Sequence, residues 1–544
     1  MSQSLDANAS QKGMLGWIER TGNALPDPVF LFLYLIGAIV IISMISAGFG
    51  LSETLSSQIL SGMPEAQKAR FGIGADGVVT AQSLMSAENL QRLFVEMPKT
   101  FSHFHPLGMV LTVMLGAGVA ERTGLFGTAM RAAVGDAPKY LLTPLVAFIA
   151  MMGNLAADAA YVVLIPLAAI VFASAGRHPV AGIAAAFAGV SGGFSANLIM
   201  GQLDALLLGI TGEAASILMA DYPVNIAGNW YFIAVMLFIY VPVIWYVTDR
   251  IIEPRLGAYD PSQAQSAFSD GEVRRDLSDT EKCGLRNAGI ALLAVCAAWA
   301  AMALGPNTPL INEAACSDAA LAAGDCSYQA RLTPFYQSLI AGFFVLFIAT
   351  GWAYGKTVGT VKDHRDLVNM MAEAMKDMGY YLVLAFAAAH FVAMFNWSNL
   401  GLIFAIKGAA AIEASQLPLF AVLGVMVLFS AVLNLFVGSA SAKWAFLAPI
   451  IVPMLMLSGV SPEMATAAYR VGDSATNIIT PLMVYFPLVL TFANRWQPSF
   501  GLGSLTATMI PYSVWMLVTG LLLTMIWAGL GLPLGGGATV EFSM

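Results

Sequence analysis

The stretch MATAAYRVGDSATNIITPLMVYFPLVL, residues 464–490, sets an arginine and an aspartate into a segment otherwise apolar enough to cross a bilayer. Arg470, Asp473 and Asn477 fall at helical spacing on one face, so the charges can pair locally and both point at a cavity. A charge at the centre of a membrane helix costs about 2.5–3.5 kcal/mol on insertion scales, too much for decoration. Arg470 can meet a substrate carboxylate, and Asp473 can carry a coupling proton or ligate a cation. The structural alternative is an ion pair that locks two helices. Pro481 has no N–H and crowds the carbonyl of Asn477, so the helix should open there with a backbone oxygen unpaired. At membrane depth such backbone survives only against protein or a wet cavity, where it can bind an ion or a substrate.

A second set of residues repeats this pattern. In VSGGFSANLIMG, residues 190–201, Asn197 stands four residues before the helix breaker Gly201, as Asn477 stands before Pro481. Gly192 and Gly193 can loosen the same helix. Asp158 precedes Pro166 by eight residues in one apolar hairpin, and Ser441 precedes Pro449 by eight in another. At the first tip Gly153 and Asn154 can end an arm and Asp158 can cap the next, or serve as cation ligand or proton carrier. At the second tip Gly438 can end an arm while Ser439 or Ser441 caps its successor, turning free N–H groups and a positive helix end inward. Lys443 and Trp444 beside that tip can add charge and a stacking surface for an aromatic substrate, although Trp444 also reads as packing. Asp204 in GQLDALLLGIT is a third intramembrane acid, suited to proton coupling or to a structural hydrogen bond. Oxygens of Asn197, Asn477 and Asp473 offer a possible sodium site; no other cofactor is expected. His390 and Asn396 are weaker candidates, since a lone histidine between helices is more often a packing hydrogen bond.

These residues need elements that hold them in lipid. Of 544 residues 58% are hydrophobic and 11% charged, the mix of a polytopic helical membrane protein rather than a soluble one. The net charge of −8 is spread over loops without a basic block, so nucleic acid is not expected as a partner. Residues 1–27 are polar and the first apolar run is too long for a cleavable signal, so that run should remain as a span. Nine spans are expected at about 29–49, 104–121, 179–211, 228–248, 284–304, 333–354, 379–406, 462–492 and 508–530. Two re-entrant hairpins are expected at 141–175 and 417–458. Arginines and lysines concentrate in 249–286 and 355–376, which places both segments in the cytoplasm. The N terminus is then cytoplasmic, the C terminus periplasmic, and the loop holding Cys316 and Cys326 lies outside, where a disulfide between them can form. Residues 361–376 read as an amphipathic helix on the cytoplasmic face.

The order span, hairpin, interrupted span, span occurs twice, the second time upside down, which is what an inverted-repeat secondary transporter requires. The expected division is 1–28 as a cytoplasmic segment, 29–103 as the first span with an extracytoplasmic segment, and 104–248 as the first repeat. Residues 249–376 are scaffold spans and loops, 379–530 the second repeat and 531–544 a tail.

With SASAKW, YRVGDSATNIITPL and LDALLLGIT, the chain resembles the AbgT family of p-aminobenzoyl-glutamate transporters over about residues 15–530. The resemblance implies a bowl-shaped homodimer of the inner membrane that handles a small anionic aromatic substrate. Members are associated with p-aminobenzoyl-glutamate uptake or proton-driven export of sulfonamide antimetabolites. By resemblance Ser441, Trp444, Arg470, Asp473 and Pro481 match the family's functional positions, and either Asp204 or Asp158 matches the acid of the first half. Proton-coupled export is the reading favoured here, with sodium-coupled uptake of p-aminobenzoyl-glutamate or dicarboxylates as the alternative. A rival class is an intramembrane serine protease, because GVSGG at 189–193 fits G-x-S-x-G around Ser191 and His390 could act as base. That motif sits in a glycine-rich helix rather than a strand-to-helix turn, which disfavours it.

Overall fold

The computed structural model describes residues 27–542 apart from 56–59, 61–62, 64, 75, 135–137, 139, 157–158, 220–221, 224, 260–276, 305–307, 316–330, 481 and 484. Asp158, Pro481, Cys316 and Cys326 therefore lie outside the described residues. Helix α1 (Pro28–Gly48) starts at Asp27, whose carboxylate accepts from the Val29 N–H at 2.8 Å, with Pro28 in the first turn. A two-stranded antiparallel ribbon, Ser52–Thr54 with Val78–Thr80, follows it. Next come α2 (Ala87–Ser102), α3 (His105–Arg122), α4 (Leu125–Val134) and the two arms α5 (Leu142–Met152) and α6 (Ala159–Ser174). Helix α7 (Pro179–Phe187) runs into a π-turn at Ala188–Gly192, and irregular backbone leads to α8 (Gln202–Ala215) and α9 (Trp230–Val247).

The middle of the chain is α10 (Asp279–Ala303), α11 (Thr333–Val358) and α12 (His364–Asp377). Helices α10 and α11 lie along each other, and α11 lies along α3. Asp363 and Asp366 form a capping box that starts α12, which packs on α3 and ties to it through Arg122 and Asp377 at 2.6 Å. This is the amphipathic helix expected at 361–376. The last third comprises α13 (Gly379–Trp397), α14 (Leu400–Ser415), α15 (Leu419–Asn434), α16 (Ala440–Leu457), α17 (Pro462–Thr476), α18 (Phe486–Trp496) and α19 (Leu502–Leu530).

Among the described residues eight helices are long and apolar enough to cross a membrane, or nine if α14 and α15, bent by 119°, form one span. The set differs from the nine expected. The runs 179–211 and 462–492 are each broken, so neither supplies one long helix, whereas α16, expected as a hairpin arm, is long enough by itself. The expected span 379–406 ends at Trp397, because Asn399 adopts a left-handed φ of 59°. Its amide holds that corner by donating to the carbonyls of Phe71 at 3.1 Å and Thr80 at 2.9 Å.

The arms of each expected hairpin splay rather than run together. Helix α5 lies on the α7 π-turn and α9, and α6 on α7 and α4; likewise α15 lies on α17 and α19, and α16 on α14 and α8. Glycines set the closest of these contacts. A Cβ on Gly189 would overlap Ala150 and meet the Ala147 carbonyl at 3.0 Å, and one on Gly472 would overlap the Val427 carbonyl.

Helix α9 is gripped at both ends. Past its C-terminal end Asp249 and Glu253 each accept from Arg177 at 2.5 Å, and Arg177 also donates to Thr143 at 2.7 Å, just ahead of α7. Burial opposes the charge of Arg177, but Glu253 and Asp249 outweigh it and hold the guanidinium pKa above its ordinary value. Near the N-terminal end, Tyr222 donates to Glu463 in the first turn of α17 at 2.6 Å, and Asn229 donates to the Glu463 carbonyl at 2.8 Å. The tail closes the same end. The Leu534 carbonyl accepts from the N–H groups of Tyr231 at 2.9 Å and Phe232 at 3.2 Å, and the Val540 carbonyl accepts from Ser461 at 2.9 Å.

Candidate functional site

Both hairpin tips and both helix breaks meet at one cavity of about 250 Å³. The first tip contributes Asn154 and Tyr161, the first break Phe194, Asn197, Gln202 and Asp204, the second tip Gly438 and Ala440, α17 Arg470, and the residue that ends α17 is Asn477. Local chemistry builds each edge. Asn154 donates to the Met151 carbonyl at 3.0 Å and so closes the end of α5. Ser439 accepts from the Ala442 N–H at 3.3 Å and starts α16, with Ser441 3.4 Å from it. Gly438 is required there, because a Cβ would press on the Leu482 carbonyl at 2.7 Å.

Arg470 reaches from α17 to α8. Its Nη1 donates to Asp204 at 2.6 Å, its Nη2 to the Ser195 carbonyl at 3.4 Å, and Asp204 also accepts from the Gly201 N–H at 2.7 Å to start α8. Arg470 Nε, Asn197 Oδ1 and Ser195 Oγ are buried with no hydrogen-bond partner among the described residues. Buried polar groups are nearly always satisfied, so two such groups on residues that line the cavity, Arg470 and Asn197, suit a ligand there. Asn477 donates to Ser191 Oγ at 3.1 Å and thereby ties the second break to the first.

A second ion pair starts three residues further along α17, at Asp473. Lys443 donates to Asp473 and to the Asn434 Oδ1, and all three side chains are buried. The Asn434 amide in turn donates to the Asp473 carbonyl at 2.6 Å and to Thr476 at 3.1 Å. Trp444 is fully buried, stacked on Tyr469 at 4.4 Å, with its indole N–H donating to Thr211 at 2.8 Å.

The family model described as "AbgT putative transporter family" matches residues 13–542. The chain belongs to the AbgT family. It is 36% identical over 538 residues, 99% of each chain, to the p-aminobenzoyl-glutamate transport protein of Escherichia coli K12. Its fold matches the Alcanivorax borkumensis YdaH transporter with a TM-score of 0.83 at 39% identity, over 94% of this chain and 100% of that one. It also matches Neisseria gonorrhoeae MtrF, from a class described as antimetabolite efflux pumps, with a TM-score of 0.86 at 40% identity, over 96% and 99%. The family and these relatives are transporters, not enzymes. In this AbgT chain His390 Nδ1 is engaged with the Phe386 carbonyl at 2.7 Å and Ser191 Oγ with Asn477, so the two form no protease dyad.

Of the residues singled out from sequence, Asn197, Asn477, Asp204 and Arg470 converge on the cavity. The expected local pairing of Arg470 with Asp473 is corrected. Three residues apart on α17, the two turn to different partners, Asp204 and Lys443, because each finds an opposite charge on a packed neighbour. Asp473 is absent from the cavity wall that Asn197 and Asn477 share. Trp444 is packed in the core, its ring stacked on Tyr469. Tyr161, Phe194, Gln202 and Asn434 were missed; of these Asn434, a lone amide ending an apolar run, carried a readable signal.

Proposed function

We propose that this chain is a secondary active transporter that moves p-aminobenzoyl-glutamate or sulfonamide-like antimetabolites across the inner membrane as a proton-coupled exporter, working as a homodimer. The observation that carries the reading is the cavity itself. Arg470, with an unpaired Nε beside the amides of Asn154, Asn197 and Asn477, suits the carboxylates of a glutamate moiety. The rings of Tyr161 and Phe194 on the same wall suit an arene. The substrate named for the Escherichia coli relative has both parts.

Two further observations support alternating access by inverted repeats. The order helix, short helix, arm, arm, broken span, span runs through 105–247 and again through 379–530. The starts of the two broken spans are tied to opposite ends of α9, Arg177 to the one and Glu463 to the other, as oppositely directed copies demand. Gly189 and Gly472, separated in sequence by the same interval as Asp158 and Ser441, make the same contact with the first arm of their own hairpin. In this reading Asp204, held by Arg470, acts as the acid of the first half, and Asp473 couples the proton.

Proteoliposomes with an imposed proton or sodium gradient test the proposal. A proton gradient should drive labelled p-aminobenzoyl-glutamate against its concentration, a sulfonamide should compete, and Arg470→Ala should abolish flux while the dimer still elutes intact. Transport driven by sodium alone and blocked by succinate would replace this reading with sodium-coupled uptake.

A further inference from the structure

Tyr161 holds the same place in α6 that Trp444 holds in α16. It stands three residues after Asp158 and five before Pro166, as Trp444 stands three after Ser441 and five before Pro449. Each ring lies on a second tyrosine. Tyr161 stacks on Tyr485 with centroids 4.3 Å apart and planes 14° from parallel, and Trp444 stacks on Tyr469 at 4.4 Å and 22°. The two stacks end differently. Trp444 is sealed in the core with its N–H given to Thr211, whereas Tyr161 lines the cavity together with Arg470 and Asn154. The backing ring of Tyr485 is itself fixed at the start of α18, past the second break. Its carbonyl accepts from the Val489 N–H at 3.0 Å, and the adjacent Phe486 is buried edge-on against Phe187 of α7 at 6.1 Å. A ring on a helix, covered on one side by a fixed ring, needs little ordering when a ligand arrives.

We propose that Tyr161 is the specificity-determining residue for the aryl group of the substrate, and that Tyr485 is the positioning residue that holds the Tyr161 ring at the cavity wall. This rests on the reading that the cavity binds p-aminobenzoyl-glutamate. Arg470 and the amides beside it suit carboxylates, which every acyl-glutamate and every dicarboxylate carries, so they do not tell an aroyl compound from an aliphatic one. That choice falls to the apolar wall. Of the two rings there, Phe194 sits in the irregular backbone of the first break, whereas Tyr161 is on a helix and buttressed. An arene packed on Tyr161 gains the offset-stacked or edge-to-face contact that a saturated ring of similar size does not.

The test compares benzoyl-glutamate with cyclohexanecarbonyl-glutamate, which share their carboxylates and differ in the ring. Both compete with labelled p-aminobenzoyl-glutamate for transport by the full chain in proteoliposomes. Wild type should prefer the benzoyl compound by about two- to tenfold, the range of an aromatic pair beyond its buried area. Tyr161→Leu should lose that preference and raise the KM for p-aminobenzoyl-glutamate while keeping the maximal rate. Tyr161→Phe should keep the preference. Tyr485→Leu should weaken it, Tyr485→Phe should restore it, and Tyr161→Leu with Tyr485→Leu should discriminate no worse than Tyr161→Leu alone. Where Tyr161→Leu does not fold, Tyr161→Met also removes the ring and is read in the same way. A stack that only stabilises the fold would weaken both competitors alike and leave their ratio intact, which would overturn the proposal, as would equal competition by the two compounds in wild type. A wild type that moves no p-aminobenzoyl-glutamate would sink the proposed function, and the aryl site with it.

Discussion

Arg470 and Asp204 come from positions 266 residues apart, yet each is the other's compensation in a buried setting. Removing one partner of such a pair costs about 3–5 kcal/mol, because the survivor stays desolvated and unpaired. Asp204→Ala should therefore lower the thermal midpoint in detergent sharply, and adding Arg470→Ala should restore much of the loss; additive losses would show that the pair is not coupled. Trp444 gives a contrasting case. Its truncation to alanine should cost about 3–5 kcal/mol as a core deletion, while Trp444→Phe keeps the stack on Tyr469, loses the bond to Thr211, and should retain most transport. A strong transport defect in a stable Trp444→Phe protein would instead place the indole in substrate contact. At this scale the residue types were readable and their partners were not. Arg470 and Asp473 stand out in an apolar run, but helical spacing reports only neighbours on the same helix, and both true partners lie on other helices.

Breaks and tips, not regular helix, bring the four edges of the cavity together, and glycines let them approach. A methyl group on Gly472 would collide with backbone atoms of α15, which cannot rotate aside. Gly472→Ala should destabilise by about 3 kcal/mol or more, at the upper end of overpacking costs. Gly529 in α19 has open space around it, so Gly529→Ala should be neutral or stabilising by up to about 1 kcal/mol through helix propensity. Thermal midpoints of the two variants check the contrast. Much of this element level was legible: the tips at 153–154 and 438–439, the break after Gly192 and the amphipathic helix all follow from glycine, proline and capping patterns. The corner at Asn399 was not, because an asparagine in an apolar run signals a left-handed turn only once the ribbon carbonyls that hold it are in place. Nor was the splaying of the arms, which depends on what each arm packs against.

For the molecule as a whole, α9 is one of the members that tie the N-terminal part of the chain to the C-terminal part. Arg177→Ala should free the start of α7 from Asp249 and Glu253, and hydrogen–deuterium exchange should rise around 142–145 and 177–182 while 459–463 stays protected. A rise at both ends would mean that α9 is not a rigid strut. The same helix has a biosynthetic consequence. The first N–H groups of α9 receive their acceptors from Leu534, and the turn before α17 receives its partner from Val540. Both are translated after every helix they secure, so until residues 534–540 leave the ribosome those donors must find other acceptors. This end of α9 is thus fastened late, by residues 534–540, and a chain stalled before Leu534 would offer quality-control proteases a loose rim on an otherwise inserted protein.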